Sequence, residues 1–428
     1  MKKITKRKFY WRKLDDQAKV FALASNKKYS SIFRLSVVLR EKIESELLQN
    51  ALEIALKKYK AYKVKMKKGI FWYYFQENEK NPIVTIENEY PFQKVNTKEN
   101  NEYLFKVTYF EKKINIDYFH ALTDGNSGGE FFKEIIYRYL ELKYPSKLEN
   151  NKLEEKEILE YTENAYSKNY NKNKKKKKIF KRAYKIKGEQ LPKGEIGINH
   201  FTIDLNKIKE KIKFEDSSIS TYLVSMIAYS IYDADYKLNK DKRTINLCVP
   251  INLKKYFSSE TISNFFSYMI INLKLKKNKI YEFGDILNIV KKEFERKLKI
   301  EKILETMTAD AGMTNNIFVR IVPLFLKKLA VRIGSLEVKR HFTMTISNIG
   351  KVEFEKEYSD YIENFLVILA PDWAEKIKCG ICSYDENLVV TFSTNLKENK
   401  IESKFRDLLV ENNIEFNIEG NGVNVISN

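Results

Sequence analysis

One stretch of this chain combines residue types and spacing suited to chemistry: Tyr118-Phe-His120-Ala-Leu-Thr-Asp124-Gly125-Asn-Ser-Gly128-Gly129. A strand-like segment arrives, a histidine stands at its end, an Asp-Gly turn follows, and a helical pattern departs. If the alternation of Ile114, Ile116 and Tyr118 continues, His120 lies on their face of the sheet, against an apolar wall. Such a wall disfavours the charged imidazolium and keeps the ring neutral, the form a general base needs. Asp124 follows four residues later, and Gly125 permits the turn and can expose a backbone N–H. A buried histidine beside an ordinary Asp-Gly turn would give the same pattern, so the motif alone leaves both readings open.

The elements that must position these residues follow from periodicity. Residues 31–39 read as a strand, 43–59 as a helix, and 62–66 and 69–75 as short strands. Residues 103–109 and 114–118 read as a hairpin, and 127–142 as the helix leaving the Asp-Gly turn. Residues 146–195 are charged, rich in Lys and Asn, and weakly periodic, which marks a crossover between two halves. Beyond it strands are expected at 199–205, 244–250, 266–275, 342–347, 365–369, 377–383 and 388–393. Helices are expected at 219–236, 283–310, 316–333 and 399–410. The division read from this is 1–170, a basic linker 171–190, and 191–428. In Ile321–Ile333 the apolar positions are interrupted by Lys327, Lys328 and Arg332. A basic helix lying on a membrane has this pattern, but a helix packed on the core with its basic side in solvent is the commoner cause and the one expected here.

Composition bounds the function classes. The chain has 428 residues, 43% of them hydrophobic, with 78 Lys and Arg against 57 Asp and Glu for a net charge of +21. Ten of the positive charges lie in 172–187, a run without acids that reads as a solvated linker rather than a nucleic-acid patch. No apolar run is long enough for a transmembrane segment, and the basic N-terminus lacks the apolar stretch of a signal peptide, so a cytoplasmic protein is expected. The three cysteines are too few for a disulfide framework. Cys379 and Cys382 suggest a metal or redox pair by spacing, but residues three apart on a strand face opposite ways, so no metal site is expected.

The His120 segment resembles the His-x-x-x-Asp-Gly motif of the chloramphenicol acetyltransferase-like superfamily, which includes condensation domains and alcohol O-acetyltransferases. Further resemblance lies in Phe33-Arg-Leu-Ser-Val, Leu47-Leu-Gln-Asn-Ala, Gly69-Ile-Phe-Trp-Tyr-Tyr, the segment Val249–Phe266 and Ser347-Asn-Ile-Gly350. The resemblance implies an α/β (α+β) fold of two pseudo-equivalent halves in a V, with an active-site tunnel at their junction. It implies an acyltransferase in which His120 deprotonates an alcohol or amine acceptor that attacks a thioester directly, with no acyl-enzyme. Acyl-CoA, most simply acetyl-CoA, is the implied donor substrate, and no bound cofactor is implied. The alternatives are a condensation-type enzyme drawing on an acyl carrier protein and a non-catalytic binding protein that kept the fold. No carrier segment follows in the sequence, which favours the free-standing members. Asp124 is implied to be structural, in a salt bridge across the halves; the matching cation is Lys254, with Arg34 and Arg40 as other partners. Ser347, Asn348 and the Gly125 N–H are the candidates for stabilising an oxyanion.

Overall fold

A computed structural model describes residues 10–25, 31–92, 100–148, 162–169, 181–241, 243–276, 278–314 and 316–423. Lys172 and Lys174–Lys178, and with them half of the expected linker, lie outside the described residues. In the first part of the chain the strands are β1 (Trp11–Lys13), β2 (Ile32–Leu39), β3 (Val64–Lys68), β4 (Tyr73–Glu77), β5 (Val84–Ile86), β6 (Phe105–Phe110) and β7 (Lys113–Phe119). In the second they are β8 (Gly197–Asp204), β9 (Ile245–Asn252), β10 (Phe266–Leu273), β11 (Met344–Val352), β12 (Ile362–Leu369), β13 (Ile377–Tyr384), β14 (Asn387–Thr394) and β15 (Phe416–Gly420).

These strands form three sheets: a small β1-β4-β3 sheet, a five-stranded sheet in the order β12-β2-β7-β6-β5, and a seven-stranded sheet in the order β10-β9-β11-β13-β14-β8-β15. The five-stranded sheet is antiparallel except at β5–β6, and the larger one is parallel only where β11 meets β9 and β13. The helices Ser45–Lys58 and Gly125–Lys143 pack with the five-stranded sheet around one apolar core, which buries Leu48, Leu52, Phe131, Ile135 and Tyr139. The helices Ile219–Ile231, Phe283–Lys297 and Lys400–Glu411 enclose a second core with the seven-stranded sheet.

The two layers meet where β12, from late in the chain, pairs antiparallel with β2, from its beginning (Val37 opposite Phe365). At the same meeting point Gly380 on β13 lies against β12 so closely that a Cβ there would stand 2.1 Å from the Val367 carbonyl oxygen. No other residue type fits that approach. β13 thus runs between the cores: Cys379 faces one and Cys382 the other, as the strand alternation predicts. Burial pushes both thiols up, so neither is a ready nucleophile.

The helix expected over 283–310 is two helices, Phe283–Lys297 and Ile300–Thr314, and the one over 316–333 is Ile317–Ile321 followed by Leu324–Lys339. Pro323, at the N-cap of the second, accounts for that break, because it removes a donor and holds its predecessor extended. The orientation expected for Leu324–Lys339 is also overturned. Lys327 is buried while Phe325, Leu329 and Ile333 are exposed. Among the described residues no helix is long and apolar enough to cross a membrane.

Candidate active site

β7 delivers His120 one residue beyond its last hydrogen-bonded position, where Phe119 pairs with Ile32 of β2. Ile114, Ile116 and Tyr118 are fully buried in the apolar core, and the Phe33 ring that stacks on Tyr118 also meets His120, so His120 keeps their face. The imidazole sits among three phenylalanines. Phe21 stacks on it at 4.6 Å between centroids, Phe33 on β2 lies at 4.6 Å, and Phe266 on β10 at 5.7 Å. Burial in this cage, opposed by the Asp124 carboxylate, pushes the ring's pKa down to about 4. Nδ1 is buried with no hydrogen-bond partner. The His120 backbone is held from both sides, its N–H on the Ser31 carbonyl (2.7 Å) and its carbonyl on Asn264 Nδ2 (2.9 Å).

Asp124 is the N-cap of the helix Gly125–Lys143. One carboxylate oxygen accepts the Ser127 N–H at 2.9 Å and the other the Phe265 N–H at 2.8 Å. The helix can start so close to β7 because position 128 is glycine: a Cβ there would press on the Tyr118 ring at 3.1 Å, and the Tyr118 hydroxyl donates to the Gly128 carbonyl. Gly125 stands beside Ile349 of β11, from the second part of the chain.

The expected Asp124–Lys254 ion pair is not formed. Both Asp124 oxygens are taken by backbone N–H groups, and Lys254 Nζ donates instead to Ser127 Oγ at 2.8 Å. Arg34 is held by Asp117, its register partner on β7, in a two-pronged pair at 2.7 and 2.8 Å, and Arg40 by the Asp360 carbonyl. What spans the two parts of the chain is a segment rather than a salt bridge. Residues 261–265 lie across the His120 loop, joined through the Phe265 N–H, the Asn264 amide and the Ile262 carbonyl. The Tyr62 and Thr123 hydroxyls, 2.8 Å apart, both reach that carbonyl, at 2.9 and 3.0 Å.

Of the oxyanion candidates, Asn348 is engaged elsewhere: its amide donates to Ser220 and accepts the Gly350 N–H in a bulge of β11. β11 passes the Asp-Gly turn at Ile349, two residues beyond Ser347. Sequence reasoning missed Phe21, on the helix Asp16–Ala24, and assigned no part to Asn264 or Phe266. The Asp15 N-cap ahead of Ala18, Ala22 and Leu23 was a usable helix signal for the first.

A second polar cluster lies at the start of β13. Asp372 takes Lys339 at 2.8 Å and Lys378 at 3.3 Å, and Glu375 takes the Thr345 hydroxyl at 2.6 Å. Although burial opposes it, Lys378 and Lys339 hold the Asp372 carboxyl well below the usual range. The positive field of Lys378 reaches His120 and disfavours its protonation. Beside this cluster is a cavity of about 280 Å³ lined by Arg182, Lys185, Arg243, Arg340, Trp373 and Lys376. Among the described residues no group of three or more His, Cys, Asp or Glu is placed to hold a metal ion.

No protein-family model matches the sequence, and no curated protein matches it either. Solved structures do match the fold. The TRI3 trichothecene 15-O-acetyltransferase of Fusarium sporotrichioides superposes with a TM-score of 0.60 at 9% identity, over 94% of this chain and 94% of that one. TRI101 of the same organism, solved with coenzyme A and T-2, gives 0.59 at 10% identity over 95% and 99%. The starter condensation domain of rhizomide synthetase RzmA, solved with C8-CoA, gives 0.57 at 10% identity over 94% and 94%. The chain thus has the chloramphenicol acetyltransferase-like fold that these structures share.

Proposed function

We propose that the protein is an acyltransferase that moves an acyl group from a CoA thioester to the hydroxyl or amine of a small acceptor, with His120 as general base. The observation that carries this reading is an imidazole caged by Phe21, Phe33 and Phe266 at the loop where the two parts of the chain meet, a setting that favours its neutral form. A proton on the buried Nδ1 leaves Nε2 to accept. Nε2 takes the acceptor's proton as its oxygen or nitrogen attacks the thioester carbonyl. The tetrahedral oxyanion collapses, the C–S bond breaks, and the leaving thiolate receives the proton back from the imidazolium. Ser347 and the Gly125 N–H are the groups proposed to stabilise the oxyanion. Asp124 and Gly125 build the loop and take no part in the proton transfer. The basic cavity around Arg243 and Arg340 is the proposed seat of the donor's phosphates, with Trp373 beside its base. The structures of TRI101 with coenzyme A and RzmA with C8-CoA support a CoA donor.

The test is mass-spectrometric detection of acyl transfer from a panel of acyl-CoAs, and in parallel from acylated carrier proteins, to pooled alcohols and amines. Transfer from CoA that disappears in His120→Ala supports the reading. Transfer from carrier proteins alone would replace the donor, and no transfer from either would favour a binding protein.

A further inference from the structure

The helix Leu324–Lys339 buries a lysine while leaving most of its large apolar side chains in solvent. Its Lys327 is 4% exposed, with Nζ 3.8 Å from the centre of the Trp72 ring and bonded to the Phe71 and Arg320 carbonyls. Leu324 and Val331 pack on the core, but Phe325, Leu326, Leu329, Ile333 and Leu336 face out. Phe325, Leu329 and Ile333 follow one another at intervals of four along this helix, and Ile317, Phe318 and Ile321 of the short helix before it are exposed as well. Phe318 is 75% and Phe325 71% exposed. The hairpin tip between β3 and β4 lies on the same surface: the Leu324 N–H donates to the Ile70 carbonyl at 2.9 Å, and Ile70 is 78% exposed. Two elements some 250 residues apart in the chain are thus hydrogen-bonded into one apolar platform. Isolated exposed apolar residues need no explanation, but a contiguous surface of this kind marks a place of contact.

Charge identifies the occupant. Residues 316–336 contain no acid, and beside the buried Lys327 they carry Arg320, Lys328 and Arg332; the hairpin tip adds the exposed Lys68, while Lys67 is paired with Glu102. The whole chain carries +21. A two-fold contact with a second copy would set this basic ring against itself. An anionic bilayer instead takes the apolar tips among its acyl chains and draws the cations to its headgroups. We propose that this platform docks the protein on the surface of an anionic membrane. The inference goes beyond the transfer reaction and does not rest on it.

The experiment uses the full chain with vesicles of phosphatidylcholine, alone or mixed with phosphatidylglycerol, in flotation at low and high salt. Binding to the mixed vesicles is expected, weaker on plain phosphatidylcholine and weaker in high salt as the charges are screened. Phe318→Ser/Phe325→Ser, at two exposed positions, should weaken partitioning at least about tenfold while circular dichroism and melting stay unchanged. Absence of flotation with either vesicle, or equal flotation of the double variant, overturns the proposal. So does a dimer seen by light scattering that the double variant dissolves, because the occupant is then a second copy. None of these readouts requires turnover, so failure of the transfer assay leaves them intact.

Discussion

The helices Gly125–Lys143 and Leu324–Lys339 have comparable length and amphipathic character, yet they treat their two faces in opposite ways. The first buries Phe131, Phe132 and Ile135, and it also buries charge: Arg138 is held between Glu134 and Glu141 at 2.8 and 2.9 Å, Lys58 reaches Glu134, and the Tyr358 hydroxyl donates to Glu141. The second buries Lys327 on an indole ring and turns Phe325 and Leu329 outward. Periodicity therefore sets the width of an apolar face and not its direction. Direction is decided by what neighbouring elements offer the polar side. Carbonyls and a π-face waiting for an ammonium outcompete the burial of one apolar stripe at Leu324–Lys339.

The largest effect should come from the residue just ahead of the first helix. His120→Ala is expected to lower kcat/KM for acyl transfer about 10²–10⁴-fold with the melting temperature held, as for loss of a general base. Steady-state kinetics beside a thermal melt checks this, and full activity would sever the helix-start geometry from catalysis. The next effect separates the two helices directly. Phe131→Ala, in contact with Tyr59, Tyr62 and Phe105, should cost about 3–5 kcal/mol in denaturant unfolding. Phe325→Ala, on the outward stripe, should stay within about 0.5 kcal/mol. Similar losses at both sites would erase the contrast.

Asp124→Ala removes an N-cap and strands the Phe265 N–H, which should cost about 2 kcal/mol or somewhat more. Lys254→Met gives up one hydrogen bond to Ser127 and should cost less, about 1 kcal/mol. A larger loss from Lys254→Met would mean that the lysine carries the junction after all. The smallest expected effect is in the pH profile. Because the folded His120 pKa is depressed to about 4, the neutral base persists as pH falls, and kcat/KM should stay flat down to about pH 5 on that limb. An ordinary histidine would already have cost about tenfold at pH 5.5. A profile that bends near pH 6.5 would show that the aromatic cage does not desolvate the ring.

The strand carrying His120 and the helix after it were legible because both faces of β7 and one face of the helix are committed to burial, and such commitments leave a period in the residues. The Arg34–Asp117 pair was not, although each residue is visible, because its register depends on which strands are neighbours. The segment 261–265 was illegible for a different reason. It holds the His120 loop largely through a backbone N–H and a backbone carbonyl, groups that nearly every residue possesses. The facing of Leu324–Lys339 was misread because the indole that receives Lys327 sits some 250 residues away in the chain.

The pairing of β12 with β2 has a consequence for how the protein is made. The sheet that bears His120 is assembled from residues 32–119 except for its edge strand, which begins at Ile362. A ribosome adding roughly 5–20 residues per second takes about 12–50 seconds to cover the intervening 240 or so positions. Throughout that interval β2 presents an unpaired edge, open to strands from other chains. Premature termination anywhere before Ile362 would therefore release a product whose first half is nearly complete and yet adhesive. The strand that quiets this edge arrives just before the glycine that lets β13 close against it, so maturation of the His120 sheet and joining of the two cores are a single late event.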